Sequence, residues 1–209
     1  LTLIRTYVLN EAMAKASLKQ QILEAGHDLI WAGGYAATGV RDIVAAAKAP
    51  QGSFTNHFRS KEDFALEVLD RYFAYVQGLV AEALGDTTQP PTVRLKRYLD
   101  LITTKLADAD FARGCLIGNF SLETAGTSER LRARLSEIFA LWRQPFADCI
   151  AEAQAAGEIT DAFTADDLAD FLLASWQGAM LRMKVDRSPA PLERFKSIAL
   201  ATIFGKAKS

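Results

Sequence analysis

The sequence predicts an all-α protein, on three observations. Apolar residues recur at helical spacing between capping signals along almost the whole chain. No segment alternates polar and apolar residues between hairpin turns, as a strand would. One stretch, residues 85–91, is dense in Gly, Thr and Pro and reads as a linker between a short and a longer helical unit. The chain has 209 residues, half of them apolar and 23% charged, enough to bury a core. No apolar run approaches the ~18 residues of a membrane span.

Each element follows from its own signals. Ser17 and Gln20 form a capping box before Leu18, Ile22, Ala25, Leu29 and Ile30, and Gly33-Gly34 stops that helix. Thr38 is placed to cap a second helix over 40–47, with Ile43, Val44 and Ala47 inward; Pro50 breaks it. A third short helix spans 51–58. Ser60 with Asp63 opens a longer fourth, carrying Phe64, Leu66, Val68, Leu69 and Tyr72. Five helices follow the linker, over 92–106, 115–124, 128–156, 165–185 and 191–204. Pro145 should kink the third of these, Thr164 caps the fourth and Pro191 sits in the first turn of the last. Residues 1–13 read as a tag remnant, upstream sequence or a helical extension, because Met13-Ala14-Lys15 resembles a natural start. A head of 14–62 and a body of 63–209 remain.

Charge separates those two units. From residue 14 to 61 six basic side chains (Lys15, Lys19, Arg41, Lys48, Arg59, Lys61) face three acidic ones (Glu24, Asp28, Asp42), a net +3. From residue 62 onward the balance is −4. A basic head on an acidic body suits a phosphate-contacting module joined to something else. Cys115 and Cys149 are too few for a disulfide scaffold and point to a reducing cytoplasm. His27 and His57 lie in no Cys/His cluster, so neither a structural metal nor a cofactor is expected.

Residues 40–61 carry the clearest signal. Two short helices joined by a tight turn suit a helix-turn-helix, whose second helix enters the major groove. Gly52, Ser53, Thr55, Asn56 and His57 would form its exposed face, with Phe54 and Phe58 anchoring the other. An Asn reads base edges; Ser, Thr and His reach bases or phosphates, and Gly52 admits close backbone approach. The alternative is an ordinary helical corner with a polar surface.

The run Ile22-Leu23-Glu24-Ala25-Gly26, Gly34-Tyr35, Thr38-Gly39-Val40-Arg41-Asp42-Ile43, Ala46-Ala47, Pro50-Gln51-Gly52-Ser53-Phe54 and His57-Phe58-Arg59-Ser60-Lys61-Glu62-Asp63-Phe64 resembles the DNA-binding domain of the tetracycline-repressor (TetR) family. The resemblance implies an all-helical homodimer. Three N-terminal helices bind double-stranded DNA, and a C-terminal domain binds a small-molecule inducer and dimerises. It further implies phosphate contacts from Thr38, Gln51, His57 and Lys61, and groove contacts from Arg41, Ser53, Thr55 and Asn56. Three positions depart from the family pattern. Lys48 stands where a turn Gly is common, Thr55 where a phosphate-touching Tyr is common, and Gln51 where Lys is frequent. The last two lower the expected affinity and salt dependence.

In the body, Arg113-Gly114-Cys115-Leu116-Ile117-Gly118-Asn119-Phe120-Ser121-Leu122-Glu123 resembles a Gly-Cys-Leu motif of one branch of that family, which answers small electrophiles or unsaturated acids. A thiol at a helix N-terminus is favoured as thiolate, and Arg113 would help. Two readings of Cys115 stay open, a reactive sensor and a small buried hydrophobe. Bundle ligands bind between facing helices, so Cys115, Asn119, Phe120, Trp142, Phe146, Trp176, Gln177, Met180 and Lys184 are candidate lining residues. Each aromatic has a core alternative, and Lys184 either pairs with an acid ligand or is solvated. The helices over 165–185 and 191–204 carry apolar residues on more than one face, and the spare faces suit a dimer. The expected function is a ligand-responsive repressor on a near-palindromic operator. An adaptor without DNA binding is the alternative; an enzyme using Cys115 lacks a nearby general base.

Overall fold

The computed structural model describes residues 2–202, with side chains from Leu18 onward. The described residues form eight α-helices and no strand. α1 (Thr2–Gly33) packs on α2 (Val40–Ala46) and on α3 (Lys61–Leu84). α4 (Pro91–Ala107), α5 (Leu116–Thr124), α6 (Glu129–Ala155), α7 (Ala165–Asp186) and α8 (Ala190–Thr202) build the body, with α3 against α4, α5 and α6, and α7 between α6 and α8.

Most stops and starts are those expected. Gly34 closes α1 at φ +93°, its N–H donating to the Ile30 carbonyl at 2.8 Å. The hydroxyls of Ser60, Ser128 and Thr164 accept from the N–H groups of Asp63, Leu131 and Asp167 at 3.0–3.1 Å. α6 continues as helix through Pro145. Residues 203 and 204, the expected end of the last helix, lie outside the described residues.

Three expectations are corrected. The backbone is already helical from Thr2, so Ser17 is an interior position and not a helix start; its side chain lies outside those described. Gly39, not Thr38, precedes α2, and its N–H donates to the Asp42 carboxylate at 3.0 Å. Thr38 is buried and turns back, donating to the Gly34 carbonyl at 2.7 Å. Residues 51–57 form successive tight turns and not a regular helix: Asn56 N–H reaches Ser53 O at 3.2 Å and His57 N–H reaches Phe54 O at 3.0 Å. The side chains explain this, because Ser53 Oγ donates to Pro50 O and Thr55 Oγ1 to Gly52 O, competing with the backbone ladder.

The turn after α2 accounts for the unusual Lys48. Lys48 N–H donates to Ala45 O at 3.0 Å and Ala49 N–H to Val44 O at 3.1 Å, a Schellman pair that requires a left-handed residue between them. Lys48 supplies it at φ +51°, where glycine carries no Cβ penalty. Lys48→Gly should therefore stabilise the protein by about 0.5–1 kcal/mol, raising Tm by roughly 1–4 °C. A thermal melt in which Tm falls would refute this account of the turn.

The core is continuous from head to body. In the head, Phe58 meets Phe64 edge-on at 4.9 Å, and Phe54 lies 5.1 and 5.4 Å from them. Each such buried ring contributes roughly 1.5–3 kcal/mol before entropy is counted. In the body, buried Arg94 donates to the Leu84 carbonyl at 3.0 Å and pairs with Glu152, tying the end of α3 to α4 and α6.

Candidate functional site

The head presents Arg41, Gln51, Gly52, Thr55 and Asn56 to solvent, with Lys48 and Arg59 beside them. His57 is half-buried, its ring 6.3 Å from that of Phe58. Three expected contact residues are turned inward. Ser53, expected on the exposed face, is buried. Thr38 is engaged with Gly34, as described above. Lys61 donates to the Tyr35 carbonyl at 2.6 Å and lies 4.3 Å from the Tyr35 ring centre. Burial lowers the Lys61 pKa against the opposing pull of the Glu123 carboxylate. These three side chains hold the turns that aim the exposed ones.

In the body two cavities flank Cys115. One of about 220 Å³ lies between α5 and α7 and is lined by Asn119, Ser121, Leu122, Gln177, Leu181 and Lys184, among others. The other, about 170 Å³, lies among Tyr72, Tyr75, Val76, Leu79, Lys105 and Trp142. Gly114, Cys115 and Met180 form walls of both. Six expected lining residues are thus brought together: Cys115, Asn119, Trp142, Gln177, Met180 and Lys184. Phe120, Phe146 and Trp176 line neither cavity and pack as core, against Tyr35 at 5.4 Å, Tyr98 at 4.7 Å and Phe195 at 5.3 Å. Gly118 lets the Gln177 amide lie against α5, since a Cβ there would stand 2.8 Å from Gln177 Oε1 and displace it. The Gln177 Nε2 is buried and makes no well-formed hydrogen bond in the protein, its amide lying close enough to the Cys115 thiol to favour the anion there.

Cys115 is the N-cap residue of α5, at the helix start expected of it, but its burial works against the thiolate. Burial pushes the thiol pKa up, although the Gln177 amide, the N–H groups of Gly118 and Ile117, and the Tyr72 hydroxyl all favour the anion. Arg113 is engaged elsewhere, 4.9 Å from the Trp31 ring centre and 3.7 Å from Asp28. Cys149 is pushed up to about 11, mainly by burial. A raised pKa means less thiolate at neutral pH. Iodoacetamide should therefore label Cys115 more slowly than an unhindered peptide thiol at pH 7, with the rate climbing as pH rises. Cys149, likewise raised by burial, should also label slowly at neutral pH. Peptide mass spectrometry of timed aliquots checks both; fast labelling of Cys115 at pH 7 would contradict the burial argument.

Two structural links join the cavities to the head, and sequence reasoning missed both. α5 carries cavity residues on one side and Glu123 on the other, whose Oε2 accepts from Ala36 N–H at 2.7 Å in the α1–α2 turn. Trp31, in the last turn of α1, donates from Nε1 to the Gly114 carbonyl at 2.7 Å and lines the 170 Å³ cavity. The pair His27 and Trp31, one turn apart on α1, was the available signal. Among the described residues no cluster of His, Cys, Asp and Glu fits a metal ion, and no helix is long and apolar enough to cross a membrane.

Comparison with known proteins follows the same division. Residues 22–68 match the family described as bacterial regulatory proteins, tetR family, and residues 91–199 match the tetracyclin repressor-like C-terminal domain. The transcriptional repressor DhaR of Mycobacterium sp. (strain GP1) is 42% identical over 191 residues, covering 91% of this chain and 94% of that protein. The transcriptional regulator AcuR of Cereibacter sphaeroides is 35% identical, covering 84% and 80% respectively. The crystal structure of regulatory protein TetR from Rhodobacter sphaeroides superposes with a TM-score of 0.81 at 34% identity, covering 85% of this chain and 94% of that one. E. coli NemR in its reduced form gives 0.78 at 26%, covering 91% and 100%. With its head and its body each matched in turn, and a relative 42% identical along nine-tenths of its length, the chain belongs to the tetR family of bacterial regulatory proteins.

Proposed function

We propose that this protein is a ligand-responsive transcriptional repressor, which binds a near-palindromic operator as a homodimer and releases it when a small molecule or electrophile occupies the cavities beside Cys115. One observation carries the reading: the 170 Å³ cavity is walled by Trp31 of the head, together with Tyr72 and Tyr75 of α3, the helix that begins in the head. The relatives DhaR and NemR, named as repressors, support it. Arg41, Gln51, Gly52, Thr55, Asn56 and His57 make the DNA contacts, and Thr38, Ser53 and Lys61 hold the turns that position them. The domain division falls after residue 62, and the protein works in the cytoplasm. The dimer forms through α7 and α8, where Phe171, Leu181, Val185 and Ile198 are exposed apolar side chains.

Cys115, Asn119, Gln177 and Lys184 belong to the Gly-Cys-Leu branch's effector site. Lys184 at the rim suits an acid group, and Gln177 Nε2 suits an acceptor atom. Enzymatic use of Cys115 is disfavoured, since Tyr72 and Gln177 meet the thiol while His27 packs on Trp31 and Tyr72.

Fluorescence anisotropy on duplex DNA from the chain's own promoter region tests this, with and without small carbonyls, acids and oxidants, for wild type and Cys115→Ser. Salt-dependent binding relieved by one of these compounds is expected. Release of the wild type alone assigns covalent sensing, and equal release of both assigns a reversible pocket. No binding at low salt would overturn the repressor in favour of the adaptor.

A further inference from the structure

Trp31 belongs by sequence to the head, three residues before the glycine that ends α1. By position it also belongs to the cavity. Its ring forms a wall of the 170 Å³ cavity that Cys115 also lines. On its other side it faces a more open cavity of about 300 Å³ with His27, Arg71 and Tyr75. The indole is held by four contacts: Nε1 to the Gly114 carbonyl at 2.7 Å, the Arg113 guanidinium at 4.9 Å, the Tyr72 ring edge-on at 5.5 Å and the His27 ring at 5.4 Å.

The carbonyl it holds lies just beyond the tight turn that ends α4. Between α4 and α5 the chain passes through Asp110 at φ +50° and Phe111 at φ +54°, two consecutive non-glycine residues in the left-handed region. The C-terminal hydrogen bonds of α4 impose this conformation, Asp110 N–H to Ala107 O at 2.9 Å and Phe111 N–H to Leu106 O at 3.0 Å. The Trp31 and Arg113 contacts lie directly after it, at the step into Cys115. On the head side, the Gly34 N–H donates to Ile30 O, and Thr38 donates to Gly34 O, so the last turn of α1 leads by hydrogen bonds into α2.

Resting on the effector site proposed above, we infer that Trp31 is the positioning residue through which that site acts on the head. Growth of an occupant from Cys115 into the smaller cavity pushes the indole off the Gly114 carbonyl. The end of α1 then loses its anchor on the body. The arrangement with the indole bonded to Gly114 is the DNA-binding one.

The test uses iodoacetamide as the probe. The Cys115 sulfur displaces iodide from the CH₂ carbon, a C–S bond replaces the C–I bond, and the thiol proton passes to buffer. Mass spectrometry confirms a single adduct on Cys115. Affinity for the promoter duplex is then compared before and after modification, in wild type and in Trp31→Phe, which keeps the aromatic wall and removes the N–H. The adduct is expected to weaken wild-type binding tenfold or more and Trp31→Phe binding less than threefold, the unmodified variant already being the weaker binder. A second measurement needs no functional variant. The chain has three tryptophans, so 5-fluorotryptophan labelling gives three ¹⁹F signals, assigned by single Trp→Phe changes. The Trp31 signal should shift on modification, and that of Trp176, packed on Phe195, should not. Release of DNA with an unmoved Trp31 signal, or equal weakening in both proteins, overturns the role of Trp31 and leaves the effector site standing. A complete adduct without release overturns the effector site, and the relay with it.

Discussion

Leucine in place of Gly26 is expected to abolish DNA binding and to lower the unfolding midpoint by several degrees. Gly26 lies on α1 where that helix crosses the head core. A Cβ at this position would stand 2.3 Å from Phe64 Cζ, 2.8 Å from Cε1 and 3.0 Å from Ile43 Cγ2. Neither neighbour has room to retreat. Both are fully buried, and the Phe64 ring is held by Phe54 and Phe58. Even alanine overpacks the site, at about 1–3 kcal/mol, against the ~1 kcal/mol that alanine gains over glycine in a helix. Leucine adds three more carbons with nowhere to go. The same test has an internal control. Gly78, exposed in α3, has nothing within 4 Å of its Cβ position, so Gly78→Ala should stabilise by up to about 1 kcal/mol. Thermal melts and promoter-duplex binding of both variants decide the matter; a wild-type midpoint for Gly26→Leu would mean that the head core is looser than the contacts say.

Leucine at Gly178 should act in the opposite manner, leaving the protomer folded and separating the dimer. Gly178 sits mid-way along α7 and is exposed, with open space where a Cβ would go. It lies on a stripe with Phe171 and Val185, the latter 71% exposed, and borders a groove shared with Arg194, Phe195 and Ile198 of α8. Glycine at the centre of an apolar stripe lets a second helix approach closely, while in a lone helix it is a liability relative to alanine. Gly178→Leu should elute at monomer mass with an undiminished circular dichroism spectrum. Its affinity for a two-half-site duplex should fall by roughly 10²–10⁴, because linked binding of two heads is lost. A variant that remains dimeric at micromolar concentration would move the interface away from this face.

The fold was legible wherever a backbone requirement forces a residue type. Gly33-Gly34, Ser60, Ser128 and Thr164 stop or start helices where expected, because left-handed turns and unpaired N–H groups admit few side chains. It was misread where one residue type serves two purposes. Thr38 and Ser53 are polar and suited to DNA, and both instead satisfy carbonyls of their own turns. Ser17 and Gln20 have capping spacing but stand inside a helix. The site was legible as a set of helix faces and not as a volume. The Gly-Cys-Leu resemblance and the expectation of a pocket between facing helices pointed to Cys115, Asn119, Gln177 and Lys184, yet helical spacing does not separate a cavity wall such as Trp142 from a core filler such as Phe146. Both are buried aromatics one turn apart on α6, but Trp142 lines the 170 Å³ cavity while Phe146 packs on Tyr98. Lys48 is the instructive departure. It lacks the glycine of its family position and keeps the glycine's backbone angle.

The unbroken course of α3 sets how finely the protein must respond. The helix begins in the head at Lys61 and reaches the cavity wall at Tyr72, eleven residues on. That is an arm of roughly 16 Å at 1.5 Å per residue. Tilting it by about 5° at the cavity moves its head end by roughly 1.4 Å. In a two-fold dimer the two displacements oppose, so the reading heads change separation by nearly 3 Å, close to the 3.4 Å rise of one base pair. Operator discrimination in this architecture is thus a matter of angular tolerance: an occupant that turns α3 by a few degrees shifts the two half-sites out of phase by about one base pair, without unfolding anything.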